Sequence, residues 1–239
     1  MKMRWKKAGE KILDLLYPHT CPLCGELTER RVCQNCAREV WYIQEPRCKK
    51  CGKPIRNENS EFCFDCLVGR HSYERGMSLW KHEKQVRSSI YRFKYQNQRI
   101  YSRFYAEELA KKFGKYVIQW DISLIIPIPL SRKRRKERGF NQAELLVLEL
   151  SRLLGIPNDT AHLRRIVDTV PQKKLGIDER RGNLRNAFLW TGQRISEKNV
   201  LLVDDIYTTG NTIDSASRVL KKAGAEKVYF LSISIGQGY

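Results

Sequence analysis

The sequence predicts an α/β fold, in which helices flank a parallel β-sheet, preceded by a small module that binds metal. Two features of the 239 residues indicate this arrangement. All eight cysteines lie between Cys21 and Cys66, and short apolar runs alternate with amphipathic stretches after that segment. Alternating strands and helices form parallel sheets, which bind ligands at the carboxyl ends of their strands. The predicted boundary separates a metal-binding module, residues 1–70, from an α/β domain, residues 71–239.

The cysteines form four Cys-x-x-Cys pairs, which are Cys21/Cys24, Cys33/Cys36, Cys48/Cys51 and Cys63/Cys66. Each pair can present two thiolates to one tetrahedral ion, so eight ligands predict two closed, structural Zn²⁺ sites with no open position for catalysis. Redox-active dithiols are the competing interpretation, which four pairs in one short segment disfavour. Pairing along the chain gives two successive ribbons, while a cross-braced pairing of the first with the third pair stays open.

The N-terminal segment predicts a short, basic amphipathic helix that ends at Pro18. It is a poor signal peptide, because Asp14 interrupts its apolar stretch and no small-residue cleavage site follows. No apolar run in the chain reaches the roughly 18 residues that a membrane span requires. We therefore expect a cytoplasmic protein without stable membrane insertion.

The α/β domain is predicted from the period of its apolar residues after a linker at Gly69–Gly76. Helical periodicity occurs at Ser89–Lys94, Arg103–Phe113, Ala143–Leu154 and Ile213–Ala223. Continuous apolar runs, typical of buried parallel strands, occur at Ile122–Ile128, Val200–Val203 and Lys227–Ile235. These runs place two loops at one edge of the sheet, after residues 128 and 203.

The net charge of +19 is unevenly distributed, since residues 71–140 hold 17 basic and 6 acidic side chains. Six cations occupy seven consecutive positions, which are Arg132, Lys133, Arg134, Arg135, Lys136 and Arg138. Such a run is typical of a nucleic-acid backbone contact, and Phe140 after it offers a ring for stacking on a base. A mobile lid over an anion and an ordinary solvated loop are the alternatives, with Asn141 simply capping the next helix.

The segment from 200 to 212, VLLVDDIYTTGNT, carries most of the functional information. An apolar strand delivers two carboxylates to a polar turn that leads into a helix, and such a turn aims backbone N–H groups and the helix dipole at an anion. Gly210 allows the positive φ that a phosphate cradle requires. A ribose 5-phosphate suits both the acids and the turn, because its diol can face the carboxylates while its phosphate faces the turn. A surface turn with two capping acids is the alternative.

This segment resembles the phosphoribosyl-pyrophosphate signature of type I phosphoribosyltransferases, and from about residue 12 onward the chain resembles the ComF family of late competence proteins. The motifs that carry the narrower resemblance are Leu15–Cys24, Phe93-Lys-Tyr95, Pro127–Leu130, Arg138–Gln142, Thr169-x-x-Gln172-x-x-Leu175, Arg180-Arg-x-Asn183 and Ala187-Phe188. The chain departs from the family at Asn97-Gln98, where a glycine is often found.

The resemblance implies a type I phosphoribosyltransferase-like sheet behind an N-terminal double zinc ribbon. It also implies a site for phosphoribosyl pyrophosphate with Mg²⁺, formed by Asp204, Asp205, Ile206, Tyr207, Thr208, Thr209, Gly210, Asn211, Thr212, Arg132 and Lys133. In such enzymes C1 gains oxocarbenium character as pyrophosphate leaves, so catalysis is mainly stabilisation of the leaving group. Asp204, Asp205 and Lys94 are the candidate catalytic residues, although Lys94 is equally interpretable as a surface lysine.

Two functions follow from the resemblance. One is a competence protein that binds phosphoribosyl pyrophosphate and single-stranded DNA in natural transformation, beside competence and recombination proteins. The other is an active phosphoribosyltransferase of nucleotide salvage that transfers the sugar to a base or an amine. The first explains the basic stretch and the ribbons, whereas the second explains the intact turn after the aspartates.

Overall fold

A computed structural model describes residues 20–166, 187–196 and 198–236. Its main sheet holds four parallel strands in the order β1-β6-β5-β2, which are Arg75–Lys81 (β1), Val228–Ile235 (β6), Asn199–Tyr207 (β5) and Ile122–Pro127 (β2). Two short strands form a separate antiparallel pair, Leu163–Arg165 (β3) and Phe188–Trp190 (β4). Every residue of β6 is buried, because helices and the metal-binding segment cover both faces of the sheet.

Helices occur in both parts of the chain. The cysteine segment contains α1 (Gln34–Glu39) and α2 (Phe64–Val68). The α/β domain contains α3 (Lys84–Tyr95), α4 (Tyr101–Gln119), α5 (Arg132–Arg138), α6 (Gln142–Leu154) and α7 (Asn211–Lys222). The apolar sides of α3, α4 and α6 share one buried cluster, and α7 belongs to a second. Among the described residues, no helix has the length and apolarity to cross a membrane.

The predicted α/β alternation is confirmed, and the structure corrects three local assignments. The predicted end of the linker Gly69–Gly76 is wrong, because Arg75 already begins an edge strand that the sequence did not predict. Gly76 lies beside Phe230, and a Cβ on it would fall 1.9 Å from that ring, so only glycine fits there. β5 continues to Tyr207 instead of ending at Val203, so both aspartates belong to the strand.

The third correction concerns the basic run, which is the helix α5 and not a loop. The Ser131 hydroxyl caps its amino end by accepting the Arg134 N–H, and Gly139 ends it in the left-handed conformation with φ of 75°. Asn97, where the resemblance left the backbone geometry open, adopts the left-handed conformation with φ of 52°. Asparagine tolerates this geometry better than most residues, so the backbone accepts it there at little cost.

The cysteine segment packs directly on the α/β domain. Its first half contacts α3, where the Arg92 guanidinium donates to the Leu23 carbonyl at 2.7 Å and the Ser89 hydroxyl donates to the Pro22 carbonyl. Its second half contacts β1, because the Gly76 N–H donates to the Lys50 carbonyl at 2.8 Å. The two halves therefore rest on different parts of the domain.

Candidate functional site

The carboxyl edge of the sheet carries the turn that the sequence predicted as a phosphate site. β5 ends at Tyr207, the turn spans 208–210, and α7 begins at Asn211. Gly210 adopts φ of 83°, and a Cβ on it would lie 2.5 Å from the Tyr207 hydroxyl oxygen. No side chain caps α7, so the N–H groups of its first turn are available to an anion at the positive end of the helix dipole.

Thr209 adds an independent indication of a ligand. Its Oγ1 is buried and has no hydrogen-bond partner among the described residues. A buried hydroxyl without a partner costs about 1–3 kcal/mol, which a bound anion oxygen would recover. Beside it, Thr208 is exposed, while Asn211 and Thr212 are half-buried at the start of α7. The turn therefore offers hydroxyls of three threonines and open N–H groups to one ligand.

The two aspartates lie next to this turn and have different surroundings. Asp205 accepts a charged hydrogen bond from Lys94, with 2.7 Å between Oδ1 and Nζ, and both side chains are about nine-tenths buried. Lys94 comes from α3, so the structure makes it a partner of the site and not a solvated surface lysine. Such a charge-assisted bond fixes both groups at the edge of the sheet.

Asp204 is half-buried, and within the described part of the chain its carboxylate accepts a hydrogen bond from the Asp205 N–H at 2.8 Å. Burial, followed by the Asp205 charge, raises the pKa of Asp204 to about 7, although Lys94 and Arg165 oppose this. Two adjacent carboxylates with one raised pKa are a chemically suitable oxygen-ligand set for Mg²⁺ or a ribose diol.

His82 also lies at this edge, and the sequence gave no reason to expect it there. It follows β1, its Nδ1 is 2.9 Å from the Ser234 hydroxyl oxygen, and its N–H donates to the Ile235 carbonyl. Burial, then the charge of Lys94, lowers the pKa of His82, so the ring is neutral at pH 7. Only the unpredicted strand β1 brings this residue near Asp205.

The basic helix α5 borders the same edge on the side of β2. Its residues Arg132, Lys133, Arg134, Arg135 and Lys136 are exposed. Arg132 and Arg135 line a cleft of about 680 Å³ that begins at Pro127 and Pro129 and continues to Arg164. The structure thus places Arg132 beside the loop after β2, and its contact with pyrophosphate stays a prediction.

Arg138 and Phe140 have internal partners. The Arg138 guanidinium donates to the Tyr95 hydroxyl and to the Gln142 carboxamide oxygen, each at 3.1 Å. Phe140 is 7% exposed, packs against Phe93, and is covered by the Arg99 guanidinium at 4.7 Å. Its ring is therefore not open to a nucleobase in this structure. Asn141 caps α6 by accepting the Ala143 N–H.

The eight cysteines form two groups of four along the chain, namely Cys21, Cys24, Cys33 and Cys36, then Cys48, Cys51, Cys63 and Cys66. The arrangement is therefore sequential and not cross-braced. Within each group all Sγ atoms lie within 4.8 Å of one another, and one pair in each is 3.6 Å apart. A tetrahedral Zn²⁺ with Zn–S bonds of about 2.3 Å separates sulfurs by about 3.8 Å, so both groups fit zinc.

Two family models match the chain. Residues 12–67 match the double zinc ribbon domain, and residues 168–233 match the phosphoribosyl transferase domain. Competence protein F of Haemophilus influenzae is 33% identical over 207 residues, which cover 84% of this chain and 89% of that protein. The chain belongs to the ComF family. The fold is accordingly a type I phosphoribosyltransferase-like sheet with an N-terminal double zinc ribbon.

Two further curated proteins and one solved structure are also similar to this chain. Competence protein ComFC of Bacillus subtilis is 29% identical over 203 residues, covering 82% of this chain and 80% of that protein. The DNA utilization protein YhgH of Salmonella typhimurium is 27% identical over 220 residues, covering 90% of this chain and 96% of that protein. A purine phosphoribosyltransferase from Pyrococcus horikoshii has a TM-score of 0.36 and 18% identity over 55% of this chain and 74% of its own.

Some predicted features of this ComF-family chain lie outside the described residues. These are the N-terminal helix at residues 1–17 and the motifs Thr169-x-x-Gln172-x-x-Leu175 and Arg180-Arg-x-Asn183. The motif Ala187-Phe188 is described, and Phe188 begins β4.

Proposed function

We propose that this ComF-family protein binds phosphoribosyl pyrophosphate with Mg²⁺ at the carboxyl edge of its sheet, also binds single-stranded DNA, and acts in DNA uptake during natural transformation. The observation that carries the first part is the buried Lys94–Asp205 pair beside a turn whose Thr209 hydroxyl has no partner among the described residues, followed by a helix that no side chain caps. A positive helix end and a carboxylate pair are thereby adjacent. A ribose phosphate with a bound cation satisfies both charges at once.

In this proposal each group has a separate task. The N–H groups of α7 and the hydroxyls of Thr208, Thr209 and Thr212 hold the 5-phosphate. Asp204 and Asp205 bind the ribose hydroxyls or Mg²⁺, which supplies charge stabilisation of the pyrophosphate when bound. Lys94 orients the Asp205 carboxylate through their ion pair, and Arg132 and Lys133 attract the pyrophosphate from α5.

Calorimetric titration of phosphoribosyl pyrophosphate with Mg²⁺ tests the site. The intact protein should bind, and an Asp204→Asn/Asp205→Asn variant should lose binding, while Asp159→Asn, a carboxylate outside this edge, should retain it. Absence of binding by the intact, zinc-loaded protein would contradict the proposal. Equal binding by the double variant would show that the ligand is held elsewhere.

The DNA-binding part rests on the exposed cations of α5, beside a domain region with 17 basic and 6 acidic residues. Dense like charges on one seven-residue helix repel each other and do not favour folding by themselves. A polyanion relieves this repulsion and releases its own counterions on binding. Arg134 and Lys136 are the best probes, since Arg135 is within 3.3 Å of Glu144 and Arg138 has internal partners.

Binding of a labelled oligothymidine at several salt concentrations tests this surface. Replacing Arg134 and Lys136 by alanine should reduce the slope of log K against log salt by about 1.4, because each phosphate contact to a single strand contributes about 0.7. Lys221→Ala/Lys222→Ala removes the same charge from the far end of α7 and should leave the slope unchanged. Equal losses in both variants would assign the effect to net charge alone.

A transferase activity is the second candidate, and the cleft of about 680 Å³ favours it. This space opens next to the loop after β2 and is large enough for an acceptor base or amine. Release of pyrophosphate from phosphoribosyl pyrophosphate in the presence of candidate bases and amines would establish turnover. Retention of the intact sugar phosphate with every acceptor would favour a binding role.

The cellular setting is part of the same proposal. Two clusters of thiolates are stable in a reducing compartment, which agrees with a cytoplasmic protein. Competence and recombination proteins that handle incoming single strands are the expected protein partners. Cell fractionation during competence, with co-purification of strand-binding proteins, tests both expectations.

A further inference from the structure

The short segment between the second cysteine cluster and β1 has three consecutive residues that contact the phosphate turn or the elements on either side of it. The ring of His71 lies against Gly210, since a Cβ there would be 3.2 Å from its Cε1. The Ser72 N–H donates to the carboxylate of Asp214 in the first turn of α7. The hydroxyl oxygens of Tyr73 and Tyr207 are 2.8 Å apart. This segment therefore touches the turn, its preceding strand and its following helix.

The contact is rigid because it is aromatic and fully buried. Phe230 stacks on Tyr207 with ring centres 4.7 Å apart and meets Tyr73 edge-on at 5.1 Å. His71 stacks on Tyr73 with ring centres 4.9 Å apart. Tyr73 is 0% and Tyr207 2% exposed. Side chains packed in this way occupy one position, so a shift of Tyr73 displaces Tyr207 and with it the turn.

The other end of the segment is held by the second cluster. Cys48, Cys51 and Cys63 belong to the same buried core as Tyr73 and Tyr207. The helix α2, which contains Cys66, ends at Gly69, where a Cβ would lie 3.1 Å from the His71 Nε2. The first cluster instead packs on α3 through Pro22 and Leu23.

We propose that the second Cys₄ cluster positions the phosphate turn through Tyr73, so that ligand binding at the turn and metal retention in this cluster stabilise each other. The inference rests on the proposed phosphate site and gives the ribbon a role in it. Coupling of this kind is reciprocal, because each partner stabilises the same arrangement of the shared segment. Tyr73 is a positioning residue, since it acts on the turn through Tyr207.

The first test removes only the hydroxyl contact. Tyr73→Phe should weaken binding of ribose 5-phosphate about fivefold to tenfold while the variant retains two zinc ions and its fold. Tyr42→Phe, whose hydroxyl donates to Glu108 instead, should bind normally. Tyr207→Phe removes the partner hydroxyl and should equal Tyr73→Phe, and the double variant should lose nothing more. Unchanged affinity in both single variants would overturn the inference.

The second test measures metal retention directly. Alkylation of the zinc-loaded protein, followed by peptide mass spectrometry, reports each cluster separately. Ribose 5-phosphate should slow modification at Cys48, Cys51, Cys63 and Cys66 but not at the cysteines of the first cluster, and Tyr73→Phe should abolish the difference. Binding without protection of the second cluster would overturn the coupling alone. Failure of the intact protein to bind phosphoribosyl pyrophosphate or ribose 5-phosphate would instead reject the phosphate site itself.

Discussion

Asp204→Asn should stabilise the ligand-free protein while it removes ligand binding. The pKa of Asp204 rises from 3.8 to about 7 on folding, which means that the native state disfavours its charge. When folding raises the pKa of a carboxyl group, the free energy of unfolding is unaffected at pH values below the pKa of the unfolded chain. It falls as the pH rises from there to the pKa of the folded state. A rise of this size lowers the free energy of unfolding by about 4 kcal/mol at most, at pH values above 7. Asparagine avoids this loss because its side chain stays neutral.

The Asn side chain also preserves the local bond, since its carbonyl oxygen can accept the Asp205 N–H as the carboxylate does. Urea unfolding of zinc-loaded protein without Mg²⁺ should therefore give the variant a higher free energy of unfolding at pH 8.5. The gain should be about 1 kcal/mol smaller at pH 6, where the wild-type carboxyl group is mostly protonated.

Asp159→Asn provides a control of opposite sign. Hydrogen bonds from the N–H and ring of His162 lower the pKa of Asp159 against the effect of burial, so its charge favours folding. Its replacement should reduce stability at both pH values. The reasoning about Asp204 would be refuted if Asp204→Asn were no more stable than the wild type at pH 8.5, or if its gain did not depend on pH.

Three further outcomes are expected. Gly76→Ala should lower the free energy of unfolding by about 1–3 kcal/mol in urea titrations, because its Cβ would overlap the Phe230 ring. Asn97→Ala should cost about 1 kcal/mol by the same measurement while Asn97→Gly should not, because φ is 52° there. Removal of zinc by a chelator should lower the melting temperature together with the near-ultraviolet circular dichroism of the whole protein, since both clusters belong to its buried cores. A melting temperature that did not change would contradict the last expectation.

Much of the site could be predicted from the sequence because it depends on residues close together in the chain. The Cys-x-x-Cys spacing predicts metal clusters, since each pair must supply two thiolates to one ion. The segment from Asp204 to Thr212 predicts an anion-binding turn, because an apolar strand, a glycine and a helix start follow one another directly. The Asn141 cap and the start of the helix near Ala143 are also local features, and the structure confirms both predictions.

Tertiary structure alone decided which distant segments meet. Lys94 and Asp205 are 111 positions apart, and their ion pair exists because α3 packs on the edge where β5 ends. The segment that contains Gly76 is the edge strand β1 because it pairs with β6. Its own composition does not predict a strand. Phe140 is buried for the same reason, since α3 and Arg99 cover its ring.

The sequence therefore determined which groups are available to this ComF-family protein, namely eight cysteines in four pairs, a polar turn after two aspartates and a run of six cations. The three-dimensional arrangement decided which of these groups act together. The sequential grouping of the cysteines and the contact from Tyr73 to Tyr207 both join segments that no local pattern relates. The physical reason is that backbone propensity and ligand spacing are properties of neighbours in the chain, whereas burial and pairing depend on how distant elements pack.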